Sequence, residues 1–107
     1  NQPVLITGSP GGSTIITTVL QVILNVVDHG QSLVDAVAAP RVHHQWQPDV
    51  IDFEAGRLSD AVIADLEARG HTLQARGVIG VANSILVTEG QFEGVADPRD
   101  MGAAAGF

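Results

Sequence analysis

The chain reads Thr7-Gly8-Ser9-Pro10-Gly11-Gly12-Ser13-Thr14 directly before a long apolar stretch, which predicts a helix from Ile15 to about His29. The first N–H groups of a helix have no partner within it, and glycine leaves the backbone open to a ligand. Because the helix dipole also favours negative charge there, the loop is suited to hold an oxyanion or a carboxylate. Alternatively, the glycines serve only a tight turn between a strand and the helix.

The loop carries no motif of a nucleotide-binding site or of a catalytic serine. It has neither G-x-x-x-x-G-K-[ST] nor G-x-G-x-x-G. Ser9 and Ser13 flank the glycines, but there is no G-x-S-x-G elbow and no pair of His and Asp tied to them by spacing. The loop therefore offers hydrogen-bond donors without an evident nucleophile.

The composition excludes several classes of function. The 107 residues are 45% hydrophobic and carry a formal charge of −7, and their five cations are all Arg. An acidic chain without clustered cations does not fit a nucleic acid or an anionic membrane as partner, and no apolar run is long enough to span a bilayer. The absence of Lys and Cys excludes lysine Schiff bases, thiol catalysis, disulfides and zinc–thiolate sites.

Apolar patterning predicts the first two elements. Val4-Leu5-Ile6 predicts a buried strand that leads into the glycine loop. Polar residues of the following helix recur three to four apart and form one narrow stripe, which consists of Thr17, Thr18, Gln21, Asn25 and Asp28. Since the rest of that helix is Ile, Val and Leu, we expect it to be covered nearly all round. Gly30 is the expected stop signal.

Local signals place the remaining elements. Ser32–Asp35 has the form of a capping box for a helix that ends at Ala39, and Ser59-Asp60 can cap a third helix, Ala61 to Arg69. The expected strands are Val50–Glu54, Thr72–Arg76, and a hairpin of residues 82–88 and 91–96 around Glu89-Gly90. We expect an ordered loop at Arg41–Asp49, a loose tail at Asp97–Phe107, and no domain boundary. This order of elements predicts an α+β fold.

The four histidines are expected to be structural. His43 and His44 are adjacent, so on a strand they point to opposite faces, which is poor geometry for one metal ion. His29 and His71 lie at predicted helix ends, where an imidazolium suits the helix dipole. We therefore predict neither a metal site nor a cofactor.

The loop and its helix closely resemble a known family. Gly8–Ser13 with Ile15–Gln21 resembles the glycine-loop segment in the small subunit of γ-glutamyltranspeptidases. Further segments resemble that family in the same order, namely Ala39–Asp49 with its Pro-Arg-Val-His-His-Gln-Trp, Leu66–His71, Asn83–Ile85 and Ala96–Arg99. The resemblance covers essentially the whole chain.

The resemblance implies a fold and an activity. Members of that family are N-terminal nucleophile hydrolases with a four-layer αββα sandwich, and their precursor cuts itself into large and small subunits. The N-terminal Thr of the small subunit attacks the γ-glutamyl amide of glutathione, and the acyl group passes to water or to an amino acid or peptide. By resemblance, the N–H groups of Gly11 and Gly12 form the oxyanion hole, and the location is periplasmic or extracellular.

The chain begins at Asn1, not at Thr. The family's nucleophile and donor-binding residues lie upstream, so we expect residues 1–107 to be the C-terminal part of a small subunit, forming a single, incomplete domain. Alone it should be inactive, and it should self-associate through surfaces meant for the rest of the small subunit and the large subunit. Two alternatives are a module that binds a carboxylate or a partner without chemistry, and a scaffold whose parent no longer reacts.

Overall fold

The structure, a computed structural model, describes residues 4–106. In chain order, its elements are β1 (Leu5–Thr7), α1 (Ile15–Val27), α2 (Leu33–Ala38), β2 (Val42–His43), β3 (Ile51–Glu54), α3 (Asp60–Ala68), β4 (Leu73–Arg76), β5 (Ser84–Thr88) and β6 (Gln91–Val95). A 3-10 turn, Gly12–Thr14, leads into α1. None of these helices combines the length and the apolar character that crossing a bilayer requires.

The chain forms two compact units, although no linker marks them in the sequence. The first comprises the described residues up to Ala39 and from Gly80 onward, and the second is Pro40–Ile79. The first contains the glycine loop, α1, α2 and the antiparallel sheet β1-β5-β6. The second contains α3 and the sheet β2-β3-β4.

The helices of the first unit pack on one face of its sheet. The fully buried core consists of Val22, Leu33, Val37 and Ala82, against which Leu5, Val26, Leu86 and Val95 pack. Leu5 pairs with Leu86 across β1 and β5, so both side chains reach the same face of the sheet. The Glu89-Gly90 turn, with positive φ at both residues, joins β5 to β6 as the sequence predicts.

The prediction that Val4-Leu5-Ile6 forms a buried strand is wrong for two of the three side chains, since Val4 and Ile6 are exposed in the described chain. Alternate residues of a strand point to opposite faces, and only one face of this sheet carries helices. Ile6 pairs with Ile85 on the other face, and both are exposed in the described chain. A run of three apolar residues does not show whether both faces of a strand are covered.

The helix predicted after the loop is confirmed, but it ends at Val27 rather than near His29. Gly30 has a φ of 64°, which is the left-handed conformation expected of a stop signal. The expected coverage is wrong within residues 4–106. Polar Thr18 is fully buried, whereas an apolar stripe is exposed; this α1 stripe consists of Ile16, Leu20, Ile23 and Val27.

The second helix follows its capping signal closely. Ser32 Oγ accepts a hydrogen bond from the N–H of Asp35 at 3.2 Å, and α2 ends one residue before the expected Ala39. One side of α2 is buried, at Leu33, Ala36 and Val37. The cap thus starts a short helix that is held by its packing.

The tail predicted to be loose from Asp97 is fixed at its start. Asp97 is fully buried and accepts a hydrogen bond from the N–H of Ala82 at 2.7 Å. Arg99 donates to the carbonyl of Val37 at 2.7 Å and to that of Ala39 at 2.6 Å. The charged side chains of this segment therefore hold the end of α2, and Phe107 lies outside the described residues.

The second unit contains one strand that the sequence does not reveal. Residues 41–49 are predicted to be a loop, but Val42–His43 forms β2, which pairs antiparallel with β3. The β3 and β4 strands are parallel and are joined through α3. Ser59 caps α3 by accepting from the N–H of Val62 at 3.2 Å, as predicted.

A buried charged network joins the two ends of the second unit. The Glu54 carboxylate accepts hydrogen bonds from the N–H groups of Arg41 and Ile79, each at 2.9 Å. Arg41 also donates from Nη1 to the carbonyl of Ile79 at 2.9 Å. All three residues are buried, so their polar groups cannot bind water. These hydrogen bonds take the place of those to water and offset the cost of burying the polar groups.

Candidate functional site

The glycine pair adopts backbone conformations that other residues rarely reach. The φ angles are 132° at Gly11 and 59° at Gly12. A Cβ on Gly11 would collide with Thr14 Oγ1, whereas a Cβ on Gly12 would meet no atom within 4 Å. Gly11 is therefore required by both space and conformation, and Gly12 by conformation alone.

The carbonyl side of the loop is firmly held. The backbone N–H of Thr14 donates to the carbonyl of Gly11 at 3.1 Å, and Thr14 Oγ1 donates to the same oxygen at 2.9 Å. Thr14 is buried, so this turn is anchored beneath the surface. The loop is thus a rigid entry into α1.

The donor side of the loop is open. Gly11 and Gly12 are exposed, and their N–H groups donate no hydrogen bond to any residue in the range 4–106. They lie just ahead of α1, at the positive end of its dipole. Both predicted site residues therefore lie together, with donors available to an external acceptor.

Ser9 is a residue of this site whose contacts the sequence does not reveal. Its Oγ accepts a hydrogen bond from the N–H of Val81 at 3.0 Å and donates to the carbonyl of Pro10 at 2.7 Å. Val81 is 72 positions away in the chain, beyond any local pattern. The one available signal is the isolated Gly80 within an apolar run, since such a glycine can mark a close approach of backbones.

The two adjacent histidines point into different surroundings. His43 is buried, and its Nε2 lies 2.8 Å from Gln45 Oε1. His44 is exposed, with Nε2 2.9 Å from Asp49 Oδ1. The other two, His29 and His71, are exposed beyond the ends of their helices. Within the described part of the chain, no three His, Asp or Glu side chains are grouped to hold a metal ion.

The family model described as Gamma-glutamyltranspeptidase matches residues 1–107. The chain belongs to the γ-glutamyltranspeptidase family. The family resemblance of the glycine loop is thereby confirmed over the whole sequence.

Curated γ-glutamyltranspeptidase relatives are much longer than this chain. The glutathione hydrolase proenzyme of Escherichia coli K12 is 45% identical over 98 residues, which cover 91% of this chain and 17% of that protein. The glutathione hydrolase proenzyme of Bacillus subtilis 168 is 40% identical over 110 residues, which cover 100% of this chain and 18% of that protein. The chain thus spans less than a fifth of these relatives.

Solved γ-glutamyltranspeptidases share the fold. The Pseudomonas nitroreducens enzyme complexed with L-DON superposes with a TM-score of 0.92 at 40% identity, covering 97% of this chain and 55% of that one. The Helicobacter pylori T380A mutant gives 0.85 at 44% identity, covering 91% and 54%. The predicted fold class, α+β within an N-terminal nucleophile hydrolase, is confirmed.

Proposed function

We propose that this chain is part of a γ-glutamyltransferase that also hydrolyses glutathione. In this function, a γ-glutamyl group passes from a donor such as glutathione to water, an amino acid or a peptide. The relatives at 40–45% identity are named glutathione hydrolase proenzymes, which supports the proposal. No cofactor is needed for such acyl transfer, because a protein nucleophile carries the acyl group.

Gly11 and Gly12 supply the oxyanion hole in this proposal. Attack on the γ-glutamyl amide turns its carbonyl oxygen into an oxyanion, and donors already aimed at that position stabilise the transition state. One such donor contributes about 3–4 kcal/mol in known enzymes. The observation that carries the role is a pair of exposed, positive-φ glycines just ahead of α1, whose N–H groups have no acceptor in the range 4–106.

The nucleophile belongs to another part of the precursor in this account. The chain corresponds to less than a fifth of the Escherichia coli and Bacillus subtilis proenzymes. We propose that the remainder of the small subunit and the large subunit supply the nucleophile and the donor-binding groups. The α1 stripe is available to pack against them, since its apolar side chains are exposed in the described chain. Alone, residues 1–107 should be inactive.

The test is Gly12→Val in the full-length precursor, with a γ-glutamyl anilide as donor. A β-branched side chain is strained at a φ of 59°, so the backbone should rotate and the N–H of residue 12 should no longer point at the oxyanion. We expect kcat to fall by about 10²- to 10³-fold with a nearly unchanged KM, because the donors act on the transition state.

The matched control is Gly90→Val, at a φ of 79° with no atom within 4 Å of the added Cβ. It imposes similar backbone strain in an exposed hairpin turn and should leave kcat close to that of the parent. A raised KM with unchanged kcat in Gly12→Val would contradict the oxyanion role. A parent that binds a donor analogue without turnover would favour the non-catalytic binding module.

A further inference from the structure

Each donor N–H of the glycine pair shares a rigid peptide unit with a carbonyl group. The N–H of Gly11 belongs to the same planar unit as the carbonyl of Pro10, and the N–H of Gly12 to that of Gly11. Since the unit is planar and trans, its C=O and N–H point in opposite directions. A group that holds the carbonyl therefore also sets the direction of the N–H.

Two hydroxyl groups hold these two carbonyls. Ser9 Oγ donates to the carbonyl oxygen of Pro10 at 2.7 Å. Thr14 Oγ1 donates to the carbonyl oxygen of Gly11 at 2.9 Å, beside the backbone N–H of the same residue at 3.1 Å. A hydrogen bond to the carbonyl also polarises the peptide unit and strengthens its N–H as a donor.

Both hydroxyl groups are themselves fixed. Ser9 Oγ receives the N–H of Val81 at 3.0 Å, and a Cβ added to the preceding Gly80 would lie 2.7 Å from that oxygen. The same Cβ would lie 2.6 Å from Oγ1 and Cγ2 of fully buried Thr18, so the backbone is closely packed here. Thr14 is buried as well. Neither hydroxyl can turn away without breaking these contacts.

We propose that the Ser9 and Thr14 hydroxyls are positioning groups, which aim the N–H bonds of Gly11 and Gly12, respectively, at the developing oxyanion. This inference rests on the proposed function. Neither residue needs to touch the substrate, because each acts through the peptide unit whose carbonyl it holds. The contribution of such donors depends on their aim, so small rotations of the two units should slow the chemical step.

The experiment uses the full-length precursor with Thr14→Val, Thr14→Ser and Ser9→Ala. Val has nearly the shape of Thr but has no hydroxyl, whereas Ser keeps the hydroxyl. We expect kcat to fall about threefold to tenfold in Thr14→Val and Ser9→Ala, as for one lost hydrogen bond, with KM unchanged within twofold. Thr14→Ser should recover most of the loss.

Two control variants remove comparable bonds elsewhere. Thr17→Val removes a hydroxyl of the first turn of α1 that donates to the carbonyl of Thr14 at 3.2 Å, rather than to that of Pro10 or Gly11. Ser59→Ala removes the cap of α3 at 3.2 Å. Both control variants should keep the parental kcat. The melting temperature of each variant gives the fraction of folded protein in the assay, by which its kcat is corrected.

The positioning role is overturned if Thr14→Val and Ser9→Ala have the same kcat as the controls. It is also overturned if Thr14→Ser is as slow as Thr14→Val, or if the loss of kcat disappears after correction for the folded fraction. Failure of the proposed function is distinguishable from this, since it would appear as an unchanged kcat in Gly12→Val.

Discussion

Arg99 Nη1 lies 3.1 Å from Asp97 Oδ1, and the two side chains are only 2% and 0% exposed. The guanidinium also binds the carbonyls of Val37 and Ala39, at the end of α2. The Asp97 carboxylate accepts a hydrogen bond from the N–H of Ala82. Ala82 directly follows Val81, whose N–H donates to Ser9 Oγ. This buried pair therefore connects α2 to the backbone segment that supports the glycine loop.

The buried pair should matter far more for stability than an exposed one. Arg99→Ala leaves the Asp97 carboxylate buried without its cation, which costs about 3–5 kcal/mol in comparable cases. Arg69→Ala breaks a pair whose side chains are 69% and 62% exposed, so we expect a loss below about 1 kcal/mol. Urea unfolding of both variants measures the difference, and equal losses would contradict the structural role of the buried pair.

Removal of the α2 cap should destabilise the first unit. Ser32→Ala loses the acceptor for the N–H of Asp35, and we expect unfolding to become easier by about 1 kcal/mol. Ser32→Asn supplies another good cap and should cost only a few tenths of that. Faster hydrogen exchange of the Asp35 amide in Ser32→Ala, but not in Ser32→Asn, would show that the destabilisation arises at the cap. An equal loss of unfolding free energy in both variants would exclude the cap as the cause.

The isolated chain should associate through the α1 stripe. Ile16 and Leu20 are 76% and 50% exposed, and with their neighbours they form an apolar surface along one helix. The double variant Ile16→Glu/Leu20→Glu should sediment as a monomer, whereas the unchanged chain forms larger species. Val62→Glu, on α3, is the control and should associate like the unchanged chain. A monodisperse monomer of the unchanged chain would refute this prediction.

The histidine pair should retain no metal. We expect no stoichiometric zinc or nickel after loading and dialysis, because His43 and His44 have separate partners in Gln45 and Asp49. His43→Ala should lower the melting temperature, since it removes a buried side chain and its partly buried hydrogen bond, whereas His44→Ala at an exposed position should not. Stoichiometric metal that stays bound after dialysis, and that is lost in His44→Ala, would contradict the prediction that the histidines are structural.

Elements with local signals could be predicted from the sequence. The Ser32 cap and the Glu89-Gly90 turn depend on nearby residues, so their patterns are sufficient. The β2 strand could not be predicted, because its two residues become a strand only by pairing with β3. The burial of the Asp97 and Arg99 side chains was equally hidden, since charged residues in a tail ordinarily indicate exposure.

The candidate site was predicted only in part. The glycine pair is visible because glycine before an apolar helix has a direct physical meaning. The supporting role of Ser9 could not be predicted from the sequence, because its contact with Val81 joins positions far apart in the chain. The role of Thr14 was hidden for another reason: a threonine at a helix start forms many local bonds, and only the geometry shows that this one holds the carbonyl of Gly11.

The most direct test of the central claim is release of the chromophore from a γ-glutamyl anilide by this chain alone, by the remaining part of the precursor alone, and by the two mixed. We predict activity only in the mixture, with a much lower rate when the chain carries Gly12→Val. Release by the chain alone would show that the nucleophile lies within residues 1–107 and would contradict the account.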